Sequence, residues 1–232
     1  RSRHGDRVEY VPCPTMADKV RFLQSLDMLS VPATFHEPKG IYVLEAMASG
    51  VPDVIVHDSL DGVQPMADVV RLDQSQPEFS KGFQDYHQSR VTAGRAMQGQ
   101  QLMQQHRVLL DSISTRYGVQ GQYLLSFWGL ETSYGSHFGR TPTLAALVTL
   151  ACDGRRSAFF EQELMQALHM VNEGAILPND LQGSWAGAFG HMQFMPSTFM
   201  RYAVDTDGDG RRNVWTSTPD ALSSAANYLH QM

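Results

Sequence analysis

The sequence predicts a mainly α-helical domain preceded by a short α/β fragment. From about residue 90 onward, apolar residues recur at helical spacing and glycines punctuate the runs. No strand-rich run stands out after residue 70. Before residue 50, by contrast, short apolar runs alternate with helical patterns.

Taken in order, "VEYVP" reads as a strand, "MADKVRFLQSLD" as an amphipathic helix, "MLSVPA" as a second strand, and "GIYVLEAMASG" as a helix closed by Gly50. That βαβα order belongs to parallel α/β sheets. At roughly 45 residues it is too short to bury such a sheet on both faces. The character changes near Pro52, and "DQSQPEFSKGFQDY" is polar and turn-rich. Residues 90–117 carry apolar positions at helical spacing for several turns, and residues 119–132, 143–152, 157–172 and 219–231 are further helices. Gly135, Gly154, Gly174 and Gly190 mark their ends. Two domains are therefore expected, residues 1–51 and 52–232.

With 42% hydrophobic and 18% charged residues, the chain has the composition of a globular protein, and its 232 residues suffice for a sizeable core. A formal net charge of -6 argues against a nucleic-acid partner, which calls for a basic face. No apolar run reaches the ~18 residues that a membrane-spanning helix needs. Cys13 and Cys152 share no metal-like spacing and read as two thiols rather than a disulfide. The chain starts at Arg1 without a leader and stops at Met232 inside a helical pattern, so both ends are expected to be cuts.

Four stretches could carry chemistry. In "GQYLLSFWGLETSYG", Glu131 follows an apolar run near a helix end. Aromatic surroundings and the negative end of the helix dipole would both favour a protonated carboxyl, as cleavage of a glycosidic bond requires. A solvated helix-end charge is the other reading of that stretch. In "GSWAGAFGHMQFMPSTF", glycines and alanines fall among Trp185, Phe189, Phe194 and Phe199, with Ser184 and Gln193 able to make directional hydrogen bonds. Flat apolar surface with a few placed polar groups suits a pyranose, and a tightly packed loop-to-helix junction would also use such residues. In "DTDGDGRRNVWTSTPD", Asp205, Asp207 and Asp209 alternate before Gly210, like the start of an EF-hand loop. Three carboxylates so close repel unless a hard cation neutralises them, the alternative being a solvated acidic turn. The twelfth position is Thr216 rather than a glutamate, which leaves Asp220 as the closing candidate. Glu37 and Glu45 flank "GIYVLE" and could meet sugar or ribose hydroxyls, or belong to an ordinary acidic helix.

Residues from about 52 to 232 resemble the membrane-bound lytic transglycosylase B family of peptidoglycan-cleaving enzymes. The resemblance runs through "QPEFSKGFQDY", "RYGV", "WGLETSYGSHFG", "PTLAALVTLACDGRRSAFFEQEL", "GSWAGAFGHMQFMPSTF", "DGDGRRNVW" and "ANYL". It implies a lysozyme-like helical fold and makes Glu131 a sole catalytic acid/base. It places Ser184, Met192, Gln193 and Phe194, with Tyr134, Asn227 and Tyr228, among substrate-binding residues. Asp205, Asp207, Asp209, the Arg211 carbonyl and Asp220 fall on a structural Ca2+ loop, and no organic cofactor is implied. The implied substrate is the peptidoglycan glycan strand, cleaved between N-acetylmuramic acid and N-acetylglucosamine to leave a 1,6-anhydro end. The implied setting is a monomer in the periplasm, with outer-membrane anchoring of the native protein left open. The family continues past "ANYL" with a stretch bearing a tyrosine-asparagine pair at the cleft, so this chain is expected to lack that wall. A non-catalytic peptidoglycan-binding role is the alternative.

Residues 1–50 are similar to the carboxy-terminal half of family-4 GT-B glycosyltransferases, with Glu37 and Glu45 matching that family's glutamate pair. The rest of the nucleotide-sugar domain is absent, so a joined fragment is expected rather than a second enzyme.

Overall fold

Ten α-helices and one two-stranded antiparallel ladder make up the described residues, 50–75 and 82–232, of the computed structural model. In chain order they are α1 (Asp53–Leu60), α2 (Ala67–Ser75), α3 (Phe83–Arg90), α4 (Ala93–Gln105), α5 (Arg107–Tyr117) and α6 (Gly121–Thr132). Then follow β1 (Thr141–Pro142), α7 (Thr143–Cys152), α8 (Ser157–Asn172), β2 (Gln182–Gly183), α9 (Pro196–Tyr202) and α10 (Thr218–Gln231). The expected βαβα fragment, with Cys13, Glu37 and Glu45, lies outside the described residues. No described helix is long and apolar enough to cross a membrane.

The centre is α7, whose sequence is apolar on every side. Leu144, Ala146, Leu147, Val148, Leu150 and Ala151 are all buried, as expected for a helix without a polar face. Around it pack α1, α2 and α8. From α8, Phe160, Leu164, Ala167, Leu168 and Val171 repeat at three- and four-residue steps and fill the facing groove. Each of the larger side chains among them contributes about 1.5–3 kcal/mol by leaving water. The other side of the domain is built from α4, α5 and α6, with α10 laid across α5 and α6 and also touching α9.

Helices α6, α7, α8 and α10 fall within two residues of their expected limits. The stretch over residues 90–117 differs, because three helices share it. Val91 leaves α3 in extended backbone, and the Thr92 hydroxyl accepts from the Arg95 N–H at 3.2 Å to start α4. His106, at φ -102° and ψ 18°, separates α4 from α5. Apolar spacing cannot register one non-helical residue, which is why those breaks were invisible. The polar run "DQSQPEFSKGFQDY" hides the end of α2 and the start of α3, with residues 76–81 outside the described set. Inside that run Asp73 is fully buried and paired with Arg156, while the Arg155 guanidinium donates to the Asp73 carbonyl at 2.7 Å. Two arginines from the α7–α8 turn thus fasten α2.

Candidate active site

The catalytic candidate sits on α6, and the helix period explains how. Leu124, Leu125, Trp128 and Thr132 point into the core, while Phe127 and Glu131, four residues apart, share the side that faces a cleft. The helix stops one residue beyond Glu131. Ser133, Tyr134 and Gly135 then follow in left-handed backbone, at φ 49°, 59° and 83°. Two non-glycine residues in that region are strained, and such strain persists only where the surroundings impose it. Here Tyr134 imposes it. Its ring wedges between α4 and α6 where Gly99 and Gly129 leave room, and its hydroxyl donates to the Arg95 carbonyl at 2.9 Å.

Opposite α6 lies a folded-back loop from β2 to α9. Gly183 bridges Phe189, and Phe189 bridges Phe194, so the chain doubles on itself twice. Glycine is required at 183, where a Cβ would lie 2.0 Å from the Ala188 carbonyl oxygen. Gln193 adopts φ 48° and donates through Nε2 to the carbonyls of Phe138 and Gly190, each at 3.2 Å. Its side-chain oxygen has no donor among the described residues and remains an acceptor on the cleft side. Below the loop, Glu163 of α8 accepts from the Ser197 N–H at 2.9 Å and from its hydroxyl at 2.6 Å. A carboxylate thereby caps the first turn of α9 from outside the helix.

His191 joins the two walls. The Trp128 indole N–H donates to its Nδ1 at 2.9 Å, and the Thr132 hydroxyl donates to its carbonyl at 2.8 Å. The His191 N–H in turn donates to Val214 O at 3.0 Å. Gly135 packs directly against the imidazole, since a Cβ there would lie 2.6 Å from Cε1. Burial lowers the pKa of His191 to about 4.

Between these walls is a cleft of about 310 Å³ lined by Phe127, Glu131, Met192, Gln193, Phe194, Met195, Thr198, Ala225, Tyr228 and Leu229. Glu131 is the only carboxyl in that lining. As a residue it is open to the cleft, and its carboxyl accepts no hydrogen bond from the described residues. Burial against the apolar wall pushes its pKa above the ordinary value, partly offset by the Arg90 guanidinium. A proton held on an otherwise unbonded carboxyl is available for donation.

Of the expected sugar-binding residues, Met192, Gln193, Phe194 and Tyr228 line the cleft with Glu131. Three others are placed elsewhere. Ser184 accepts from the Ala188 N–H at 3.1 Å and closes the loop on itself. Asn227 bridges Tyr202 O and Gln231, and Tyr134 serves as the wedge between α4 and α6. All three are outside that lining and support the backbone behind it. Phe127, Met195, Thr198, Ala225 and Leu229 escaped the sequence reading, although Phe127 was findable as the residue one helical turn before Glu131.

The acidic loop gathers Asp205, Asp207 and Asp209, with ligand oxygens within 4.8 Å of one another. Each carboxylate is oriented by backbone N–H groups: Asp205 by Gly208 and Gly210, Asp207 by Asp209, and Asp209 by Arg211. Asp220 reaches the same loop from α10 and interacts with Asp207. It is fully buried at the start of α10 and accepts from the N–H groups of Thr206 at 2.7 Å and Asn213 at 2.8 Å. Both of its oxygens thus brace the two sides of the loop.

The helical frame, the lone cleft carboxyl and the folded glycine-rich loop accompany a match over most of the chain to one family, described as a transglycosylase SLT domain, across residues 37–232. The chain belongs to this family. The match begins before the boundary expected near residue 52. Membrane-bound lytic murein transglycosylase B of Escherichia coli (strain K12) is 38% identical over 145 residues, which is 62% of this chain and 40% of that protein. SltB3 of Pseudomonas aeruginosa, solved in complex with NAG-NAM-pentapeptide, superposes with a TM-score of 0.80 at 39% identity, covering 86% of this chain and 53% of SltB3. The Escherichia coli lytic transglycosylase Slt35, solved in complex with calcium, gives 0.76 at 30% identity, covering 84% and 62%. The chain therefore spans about half the length of such relatives. Their likeness extends to the lysozyme-like, mainly helical architecture of the domain.

Proposed function

We propose that this transglycosylase domain cleaves the β-1,4 bond between N-acetylmuramic acid and N-acetylglucosamine of peptidoglycan without consuming water. One observation carries the reading: the cleft holds a single carboxyl, Glu131, with a raised pKa, facing Gln193, Phe194 and Tyr228. Most glycosidases that use water or a covalent intermediate place a second carboxyl beside the first. A cleft with one carboxyl favours a nucleophile supplied by the substrate itself. Glu131 donates its proton to the departing glycosidic oxygen as the C1–O bond breaks, and the neighbouring acetamido group shares the positive charge left at C1. The resulting carboxylate takes the proton of the muramic acid C6 hydroxyl, whose oxygen closes onto C1. The product is a 1,6-anhydro end, and Glu131 is protonated again. Phe194 and Tyr228 offer flat surface to sugar faces, and the Gln193 oxygen accepts from an acetamido N–H or a hydroxyl.

Asp205, Asp207 and Asp209, with the Arg211 carbonyl, would hold a Ca2+ ion as a structural staple. Short oxygens presented on a turn suit that hard cation. Asp220, which reaches the same loop from α10, would be the closing ligand. Peptidoglycan as substrate places the domain in the periplasm.

Digestion of purified sacculi followed by mass spectrometry tests the reading. Products one water lighter than ordinary muropeptides are expected, and they disappear in Glu131→Gln with the fold retained. Ordinary reducing ends, or binding to sacculi without release, would overturn it.

A further inference from the structure

We propose that His191 is a positioning residue for the transglycosylase reaction, its imidazole locking α6 and the glycine-rich loop in the register that sets Glu131 against Gln193. The assignment rests on the function proposed above. Three residues of α6 lie within five positions of one another: Trp128, Glu131 and Thr132. Two of them bond His191, at 2.9 Å through its ring and 2.8 Å through its carbonyl. Two positions beyond His191 is Gln193, whose side chain faces Glu131 in the cleft. The acid and the sugar-binding wall come from segments some 60 residues apart, and among the described residues the side-chain hydrogen bonds from α6 to the loop both fall on His191.

The chemistry of the contact is directional. An indole N–H only donates, so Nδ1 must carry a lone pair and the ring proton must sit on Nε2. The neutral imidazole is what its surroundings favour. Trp128 and Phe138 meet it edge-on at 5.3 and 4.9 Å between ring centroids, and Thr132, Gly135 and Val214 complete the shell. None of these groups is charged, and burial alone lowers the affinity of the ring for a proton. The side chain touches no cleft space, so its effect on turnover runs through geometry. A displacement of about 1 Å at a reacting group can cost on the order of a hundredfold in rate.

Two substitutions separate position from mere support. His191→Asn retains an acceptor near the place of Nδ1, whereas His191→Leu fills the site without one. The expected result is kcat within about twofold of the parent for the asparagine variant. For the leucine variant kcat falls about 10- to 100-fold with KM changed less than about threefold, under conditions where melting shows it fully folded. Equal kcat in all three proteins, or equal loss in both variants, would overturn the proposal. If the leucine variant does not fold, Trp128→Phe removes the donor instead; the same kcat loss is expected, and an unchanged kcat is fatal. Backbone amide NMR gives an answer independent of turnover. The Glu131 signal should move further in His191→Leu than in His191→Asn, and equal movement in both would refute the coupling. Lack of activity in the parent chain would instead count against the proposed function.

Discussion

In the proposed reaction Glu131 is the acid, and its wall and its neighbours set how readily it holds a proton. Burial raises its pKa and the Arg90 cation lowers it, so the two are opposed. The proton donor must be protonated, and kcat/KM therefore falls as pH rises through this pKa. Arg90→Gln removes the opposing charge, so the alkaline limb should move to higher pH, and an unchanged or lower limb in a kcat/KM profile would contradict this. His191 has the reverse sense. Its folded pKa of about 4 lies below the ordinary 6.5. Between those values the unfolded chain binds more protons, so stability is full above pH 6.5 and is lost as pH falls toward 4. The loss amounts to about 3 kcal/mol. The raised carboxyl of Glu131 acts in the opposite direction, so the informative quantity is the difference between the parent and His191→Asn. The stability of the parent relative to His191→Asn should fall through the acid window and be flat above neutrality.

At the scale of elements, short pieces hold the cleft because longer ones anchor them. Helix α9 has seven residues and too few internal bonds to stand alone. Glu163 ties its start to α8, and Glu163→Ala should cost about 2 kcal/mol, since it orphans the Ser197 N–H and removes a charge-assisted bond. In a domain of this size that lowers Tm by about 4–8 °C, as calorimetry would register. The acidic loop should respond to its ion in the same measurement. Added Ca2+ is expected to raise Tm and chelation to return it, while Asp207→Asn blunts the difference. Equal melting with and without the ion would remove Ca2+ from the account. These elements also show what the sequence could express. Helices α6, α7, α8 and α10 were legible because their apolar period runs unbroken to a glycine or a cap. The breaks at Val91 and His106 were not, because a single non-helical residue leaves the apolar spacing intact, and the burial of Asp73 and the strained turn after Glu131 were not, because each is set by a distant partner.

Across the whole domain, the same division holds for the site. Glu131, Gln193, Phe194 and Tyr228 were readable as a set and do converge on one cleft. Ser184, Tyr134 and Asn227 share their stretches yet turn away, into a loop closure, a helix wedge and a bridge to α9. Linear motifs record which residues travel together, and only the packing of α4 against α6 and of the loop against α10 decides which side chains reach the cavity. The proposed chemistry rests on that packing, since it leaves Glu131 as the one carboxyl in the cleft lining. Digestion of sacculi in heavy-oxygen water tests this most directly. The account predicts 1,6-anhydro ends carrying no label, because the closing oxygen comes from the sugar itself. Heavy oxygen at newly formed reducing ends would show that water is the nucleophile and would contradict the single-carboxyl mechanism.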